Sequence, residues 1–157
     1  GRADLVARVK SEPFFRAVRC DKLILTVLQE CIDDYLRSKG QEHPDIPTLN
    51  FLALPLDDLR ARGQSILAEL GELKSELTIE ETTSQTGGGT MPRAEFPSLA
   101  LRIVPAGMGL ETLSQRLRFA EPAVIGYVQE DAFLLNLRTV FPSQDEALTR
   151  ALRDALA

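Results

Sequence analysis

The chain has 157 residues, of which 44% are hydrophobic and 26% charged, and its formal net charge at pH 7 is −5. This composition indicates a globular protein with one core of ordinary size, or a small domain with an appendage. The negative charge argues against strong nucleic-acid binding by this chain alone, and the sequence has no apolar run or signal-peptide pattern that would predict a membrane segment. A cytoplasmic location is therefore expected.

The cysteine and histidine content argues against a metal site. Cys20 and Cys31 form no C-x-x-C motif and are expected to be free thiols in a reducing compartment. The single histidine, His43, lies in a polar, proline-containing link. Because no His or Cys cluster has the spacing of metal ligands, no metal is predicted.

Residues 1–70 are predicted to form a helical arm. A short helix over residues 2–10 ends before Pro13, because the residue that precedes a proline avoids the helical region. Asp21 is expected to cap a long helix, and Pro55 to begin a second one. The apolar residues of both recur in steps of three and four, so each helix has an apolar stripe.

Residues 71–157 follow a different period and predict an α+β fold, with a small antiparallel sheet and helices on one face. The predicted order is strand, strand, helix, strand, strand and helix, over residues 77–83, 98–104, 110–119, 124–129, 133–140 and the segment after 143. Glu130-Asp131 is expected to form a tight hairpin turn. Ser143 and Glu146 match the capping-box pattern at the start of the last helix.

A run of three glycines, Gly87-Gly88-Gly89, joins the first two predicted strands. Successive glycines cost chain entropy, so they indicate positive φ angles or a close approach of the backbone to another group. The run is no phosphate-binding P-loop, since no Lys-Ser/Thr pair follows it and no helix begins there. It is either a mobile connection or a functional loop near an active site or a subunit interface.

Arg16 and Arg19 are candidate anion-binding residues. If the segment is helical, their spacing of three brings both guanidinium groups to one side. Two forked, permanently charged donors suit a tetrahedral oxyanion such as phosphate. The alternative is a pair of solvated arginines near the start of a helix.

Arg138 is a further candidate. In the predicted strand it shares a face with Leu134, Asn136 and Val140. A cation on this half-apolar face either pairs within the protein, which is the favoured interpretation, or contacts a ligand. The chain has no Ser/His/Asp set and no lysine in a glycine-rich or Ser-x-x-Lys setting, so no catalytic residue is predicted in it.

Segments spread over the whole chain carry a resemblance to one family, although each segment alone has low specificity. They are Gly1-Arg2-Ala3-Asp4-Leu5-Val6-Ala7-Arg8, Arg16-Ala17-Val18-Arg19-Cys20-Asp21-Lys22-Leu23, Ile46-Pro47-Thr48-Leu49, Pro55-Leu56-Asp57-Asp58-Leu59-Arg60-Ala61-Arg62, Gly87-Gly88-Gly89-Thr90-Met91-Pro92, Pro97-Ser98-Leu99-Ala100-Leu101, Pro122-Ala123-Val124-Ile125-Gly126 and residues 134–140. In this combination the chain resembles the carboxy-terminal part of bacterial L-seryl-tRNA(Sec) selenium transferases, also named selenocysteine synthases.

The resemblance implies a fold similar to the small domain of aspartate aminotransferase-type pyridoxal phosphate enzymes, with residues 1–70 leading from a large cofactor domain. It implies a homo-oligomer that converts seryl-tRNA(Sec) to selenocysteinyl-tRNA(Sec) with selenophosphate, on pyridoxal phosphate as the electron sink. Two alternatives stay open. One is a related pyridoxal phosphate lyase that acts on a small amino acid or an amino sugar phosphate, and the other is a non-catalytic oligomerisation module.

The same resemblance assigns roles to the candidate residues. Arg16 and Arg19 fall where the family binds the oxyanion of the selenium donor, in agreement with the interpretation from the residues themselves. The glycine run is expected to approach the active-site region or a partner subunit. Arg138 stays a candidate without a role, because a substrate esterified to tRNA has no free α-carboxylate for it to bind.

In the family the lysine that holds the cofactor precedes the segment matched by Gly1, and no lysine here can replace it. The chain is therefore expected to be a fragment that does not bind pyridoxal phosphate covalently and is inactive alone. Two positions depart from the family pattern. Tyr127 stands where a basic residue is expected and Asn136 where Asp is expected, so a salt bridge common in relatives is predicted to be missing.

Overall fold

A computed structural model of the chain describes residues 1–38, 46–87 and 94–157. Outside these ranges lie parts of two predicted features, the polar link and the glycine run: His43, Gly88 and Gly89. Among the helices within the described ranges, none is both long and apolar enough to cross a membrane.

The chain divides into two compact units, residues 1–50 and residues 51–157. The first unit is helical, as predicted, and contains α1 (Ala3–Ser11), α2 (Phe15–Val18), α3 (Lys22–Arg37) and the start of α4 (Pro47–Ala53). Asp21 caps α3, since its Oδ1 accepts a hydrogen bond from the Ile24 N–H at 2.9 Å. The predicted N-cap is therefore confirmed.

The apolar stripe of α3 is exposed along the whole helix. Its members are each between 44% and 77% exposed: Leu23, Ile24, Leu25, Val27, Leu28, Ile32, Tyr35 and Leu36. Single exposed apolar side chains are ordinary, but a continuous stripe of this size is typical of a surface that binds other protein. Within the first unit, the described residues leave the stripe uncovered.

The second unit contains the sheet and the remaining helices. Its elements are α5 (Leu56–Leu70), β1 (Glu76–Gln85), β2 (Glu95–Val104), α6 (Leu110–Arg118), β3 (Tyr127–Gln129), β4 (Ala132–Asn136) and α7 (Asp145–Leu156). The strands form one antiparallel sheet in the order β1-β2-β4-β3, with β1 and β3 at its edges. The predicted α+β class and order of elements are confirmed.

A single apolar core lies between one face of the sheet and the helices α5, α6 and α7. Alternate residues of the central strands point into it, as the two-residue period of a strand requires. These residues are 3% exposed or less: Leu99, Leu101, Ile103, Phe133 and Leu135. The helices contribute Leu59, Ile66, Leu113, Leu117, Leu148 and Leu152 to the same core.

Helix α5 belongs to the second unit, so the boundary between the units lies near residue 50 and not at the predicted residue 70. Leu59, Ile66 and Leu70 of α5 are buried in the core beside the sheet. Gly63 allows the close packing, because an added Cβ would lie 3.0 Å from side chains of the sheet and of the segment after β4. The sequence showed the stripe of α5 but not the surface that buries it.

Strand β4 ends at Asn136, four residues earlier than predicted, and a 3-10 helix (Leu137–Thr139) follows. The cause is local hydrogen bonding by Asn136. Its Oδ1 accepts from the Arg138 N–H at 3.1 Å, and its carbonyl accepts from Thr139 Oγ1 at 3.0 Å. Such bonds compete with the strand ladder and turn the chain away from it.

The predicted hairpin turn is confirmed, since Glu130 and Asp131 both have positive φ and join β3 to β4. The predicted capping box is wrong. Helix α7 begins at Asp145 after a 3-10 turn, its N-cap is Gln144, and no side chain caps it. Asp145 and Glu146 instead place negative charge in the first turn, where the helix dipole favours it.

A part-buried ion pair joins the two longest helices of the second unit. Arg62 on α5 binds Asp145 on α7 through two bonds, Nη2–Oδ1 at 2.6 Å and Nε–Oδ2 at 2.8 Å, and Nη2 also donates to the Val140 carbonyl at 3.0 Å. The side chains are 13% and 25% exposed. This bidentate geometry is the strong form of the Arg–carboxylate interaction.

We expect Arg62→Ala to lower the free energy of unfolding by about 2–3 kcal/mol, because it leaves a carboxylate and a carbonyl without their donors. Arg60→Ala is the matched control on the same helix and should cost less than about 1 kcal/mol. Among the described residues, the Arg60 side chain makes only an exposed pair with Glu81 at 3.3 Å. Urea denaturation of the 157-residue chain measures both. Equal losses in the two variants would contradict the assignment.

Candidate functional site

The helical unit contains an open hollow lined by the two predicted anion-binding arginines. Arg16 lies within α2, whereas Arg19 follows the helix and has an extended backbone, with φ −70° and ψ 142°. The two side chains are therefore not one turn apart on a helix, but they still line the same hollow, which has a volume of about 830 Å³. Its other lining residues are Phe15, Val18, Cys20, Asp21, Lys22 and Leu25.

The lining of this hollow is cationic. It contains the side chains of Arg16, Arg19 and Lys22 against one carboxylate, that of Asp21. Asp21 is engaged as the N-cap of α3, and within the described residues none of the three cations forms an ion pair. Since α3 begins at Lys22, the partially positive end of a 16-residue helix adds to the field. The hollow can hold a solvent-accessible anion.

Of the glycine run, only Gly87 is described. It lies two residues after the end of β1, its φ is not positive, and an added Cβ would meet no described atom within 4 Å. The strands extend further toward the run than predicted, with Gln85 paired to Glu95. That the glycine run approaches the active-site region or a partner subunit remains a prediction.

Arg138 is 5% exposed and its guanidinium donates to backbone carbonyls. Nη1 donates to the Phe51 carbonyl at 2.7 Å and to the Leu54 carbonyl at 2.8 Å, and Nη2 donates to the Pro97 carbonyl at 2.6 Å. The guanidinium thus joins the carboxyl end of α4 to β2. Burial lowers its pKa, because desolvation disfavours the charged form.

These contacts are those of a structural residue. The last carbonyls of a helix lack intrahelical donors, and a cation at this end also suits the helix dipole. Nη1 and Nη2 of the guanidinium are thus both engaged by carbonyls of the protein. Its Nε is buried without a partner among the described residues. The alternation of the sequence predicted Arg138 on one face of a strand. Because β4 ends at Asn136, Arg138 instead lies in the 3-10 helix that follows.

The two residues that depart from the family pattern, Tyr127 and Asn136, form hydrogen bonds with uncharged side chains. Asn136 Nδ2 donates to Ser84 Oγ at 2.8 Å, and Ser98 Oγ donates to Asn136 Oδ1 at 2.7 Å. The phenol of Tyr127 lies 3.4 Å from Thr82 Oγ1. The serine–asparagine chain crosses three neighbouring strands, and the sequence analysis missed it. The available signal was the alternation in β1, where Thr78, Thr82 and Ser84 share one face.

The described residues do not fit a covalent pyridoxal phosphate site. A lysine that forms a Schiff base is usually desolvated in an enclosed pocket or placed beside another cation there. Lys10, Lys22 and Lys74 are all exposed. Lys22 has cationic neighbours in the hollow, but that hollow is open and leaves the lysine solvated. No group of three or more potential metal ligands occurs among the described residues either.

The second unit has a smaller hollow of about 240 Å³ near the end of β4. Its lining includes the polar side chains Asn136, Thr139 and Gln144, and no ionisable group belongs to it. A charged substrate would have no oppositely charged side chain to pair with in this hollow. A further hollow of the second unit, of about 280 Å³, contains Arg116 together with the carboxylates of Glu121 and Asp154. The cationic hollow of the helical unit is therefore the better candidate for an anion site.

The fold and the hollow define an α+β chain with a helical unit that can hold an anion. A family model described as L-seryl-tRNA selenium transferase matches residues 1–141. The L-seryl-tRNA(Sec) selenium transferase of Moorella thermoacetica is 39% identical over 159 residues, covering 99% of this chain and 34% of that protein. Those of Carboxydothermus hydrogenoformans and Aquifex aeolicus are 30% and 29% identical, covering 99% and 100% of this chain and 34% of each relative.

The chain belongs to the L-seryl-tRNA selenium transferase family, and the family predicted from its motifs is confirmed. It spans about a third of the length of the curated relatives that it matches. The relatives are named as enzymes.

Proposed function

We propose that this chain is the carboxy-terminal part of a transferase that converts seryl-tRNA(Sec) to selenocysteinyl-tRNA(Sec), with selenophosphate as the selenium donor and pyridoxal phosphate as the cofactor. The names of the relatives support the tRNA substrate. The observation that carries the contribution of this chain is the cationic hollow lined by Arg16 and Arg19.

In this proposal the two arginines bind the phosphate oxygens of the donor. A guanidinium presents parallel N–H donors that match two oxygens of a tetrahedral oxyanion. Arg16 on α2 and Arg19 beyond its end approach the hollow from consecutive parts of the chain. Since no described ion pair competes for either side chain, both are free to take up the donor. The hollow is open, so the donor can enter and phosphate can leave.

We assign the cofactor to the two thirds of the relatives that this chain does not match, because the described lysines here do not fit it. No step of the carbon chemistry is assigned to residues of this chain. The 157-residue chain alone is accordingly proposed to be inactive in selenium transfer, and to bind the donor through its helical unit.

A homo-oligomer in the cytoplasm is part of the same proposal. The exposed apolar stripe on α3 supports association, because burial of such a surface is a main driving force of assembly. The stripe would equally suit a non-catalytic oligomerisation module. The cationic hollow favours the transferase, since a module that only associates has no use for clustered cations.

Arg16→Ala and Arg19→Ala, made singly in the complete transferase, are expected to lower kcat/KM for selenophosphate by about 10- to 100-fold each. The reason is the loss of a charge-assisted hydrogen bond to the donor. Absorption of the bound cofactor should not change. The rate of labelled-selenium incorporation into charged tRNA, measured against donor concentration, gives the numbers.

Arg8→Ala is the matched control, because it removes the same charge from an exposed position on α1 outside the lining of the hollow. It should leave kcat/KM within about twofold, as is usual for surface substitutions away from a site. Normal transfer by both the Arg16 and the Arg19 variants would remove the donor site from this chain. Loss of cofactor absorption in either would show that the arginines act on the fold of the enzyme instead.

A further inference from the structure

The apolar residues of α3 are arranged symmetrically about the middle of the helix. The helix runs from Lys22 to Arg37, so its midpoint falls between Gln29 and Glu30. Eight apolar residues form four adjacent pairs along it, spaced four residues apart: Leu23-Ile24, Val27-Leu28, Cys31-Ile32 and Tyr35-Leu36. The first and last pairs are equally far from the midpoint, and so are the two inner pairs. Leu25 falls outside this pattern.

Such a pattern matches itself when the helix is reversed. Rotation by 180° about an axis through the midpoint, perpendicular to the helix, brings each apolar pair to the level of another apolar pair. A two-fold interface needs this self-complementarity, because the same surface serves on both copies. The middle of the stripe also has the four- and three-residue spacing of a seam between two paired helices, through Ile24, Leu28, Cys31 and Tyr35.

The stripe offers enough apolar surface for a stable pair. Seven of its eight paired residues are between 44% and 77% exposed, and Cys31 is exposed as well. At about 50–100 Å² for each side chain, the stripe supplies roughly 400–800 Å² on each copy, and an interface of standard size buries about 800 Å² per partner. Among the described residues 1–38 and 46–50 none is buried, so association supplies this unit with the core that it lacks.

We infer that α3 pairs antiparallel with α3 of a second copy of this chain, in a two-fold symmetric dimer centred between Gln29 and Glu30. The inference rests on the homo-oligomer of the proposed function, and it adds the helix, the direction and the centre of one interface. Leu28 and Cys31 are the apolar residues closest to the centre. The Cys31 residues of the two copies lie about 4.5 Å apart along the helix axes, since three residues rise by that length.

Disulfide formation in the 157-residue chain tests the direction and the centre. Diamide should join two copies through their Cys31 thiols, while it takes up the two electrons and two protons that the thiols release. Cys31→Ser should abolish the linked dimer on a non-reducing gel. Cys20→Ser is the matched control, because it removes an exposed thiol of the same unit from outside α3 and should leave the linked dimer in place.

Sedimentation equilibrium of the reduced chain tests the apolar contact. The unmodified chain should dimerise with a dissociation constant of roughly 1–100 μM, as suits an interface toward the low end of the standard size. Leu28→Glu should raise this constant more than about tenfold, because it places a carboxylate at the centre of the contact. Thr26→Glu adds the same charge on the polar face of the helix and should change the constant no more than about twofold. Unchanged amide NMR shifts of the second unit show that each variant is folded.

An unmodified chain that stays monomeric at millimolar concentration would overturn the inference, while the kinetics of the Arg16 and Arg19 variants would still decide the donor site. A dimer that persists in Leu28→Glu would overturn it too, and would assign the homo-oligomer to another surface. A linked dimer that survives Cys31→Ser would contradict the antiparallel centre. Loss of the dimer in Leu28→Glu and not in Thr26→Glu, together with a disulfide that requires Cys31, would establish the pairing.

Discussion

Arg138→Ala is expected to lower the free energy of unfolding of the 157-residue chain by about 3–5 kcal/mol. The substitution removes a buried guanidinium and leaves the carbonyls of Phe51, Leu54 and Pro97 without the donor that they share. Each buried acceptor left unsatisfied costs roughly 1–3 kcal/mol. Urea denaturation followed by circular dichroism measures the loss.

Two variants frame this result. Arg138→Lys keeps the charge, but an ammonium has no fork to reach the end of α4 and β2 together, so we expect it to lose about half as much stability. Arg102→Ala removes an arginine that pairs with Glu80 on the solvated face at 3.3 Å, and it should cost less than about 1 kcal/mol. If Arg138→Ala lowered the free energy of unfolding no more than Arg102→Ala does, the carbonyl contacts of Arg138 would make no measurable contribution to stability.

Gly126→Ala is expected to destabilise the chain by about 2–4 kcal/mol, through overpacking. A Cβ at this position would lie 2.5 Å from the Leu134 carbonyl oxygen and 2.6 Å from the Phe133 ring. Both neighbours belong to β4, a strand whose residues are almost fully buried. Neither the strand backbone nor a ring in the core can move away cheaply.

Gly109→Ala is the control for the loss of a glycine as such. Gly109 precedes α6, its φ is −79°, and an added Cβ would meet nothing within 4 Å. Its cost should stay below about 1 kcal/mol, the usual difference between glycine and alanine at an N-cap. Thermal unfolding midpoints of the two variants, compared at equal concentration, give the test. Similar midpoints would mean that β4 can shift to admit a methyl group.

Features set by neighbouring residues could be predicted from the sequence. Asp21 caps α3 by a bond to a residue three positions further on, and Glu130 and Asp131 turn the hairpin on their own. The alternation in the two long strands and the stripe of α5 were also readable, because period and apolar content lie within one segment.

Features that depend on distant partners could not be predicted. The carbonyl partners of Arg138 at and just after the end of α4 lie 84 to 87 positions away, and Asn136 is held by serines 38 and 52 positions away. Alternation alone cannot show that a strand will end where such partners converge. In the candidate site, spacing brought Arg16 and Arg19 to one hollow, but the extended backbone at Arg19 depends on where α2 ends.

The position of β1 at an edge of the sheet bears on how the protein avoids aggregation. A ten-residue strand at an edge presents unpaired N–H and C=O groups to a second copy of itself. β1 carries Glu76, Glu80 and Glu81, and like charges brought opposite one another across two strands repel. We expect these glutamates to disfavour edge-to-edge joining of identical chains into a continuous sheet.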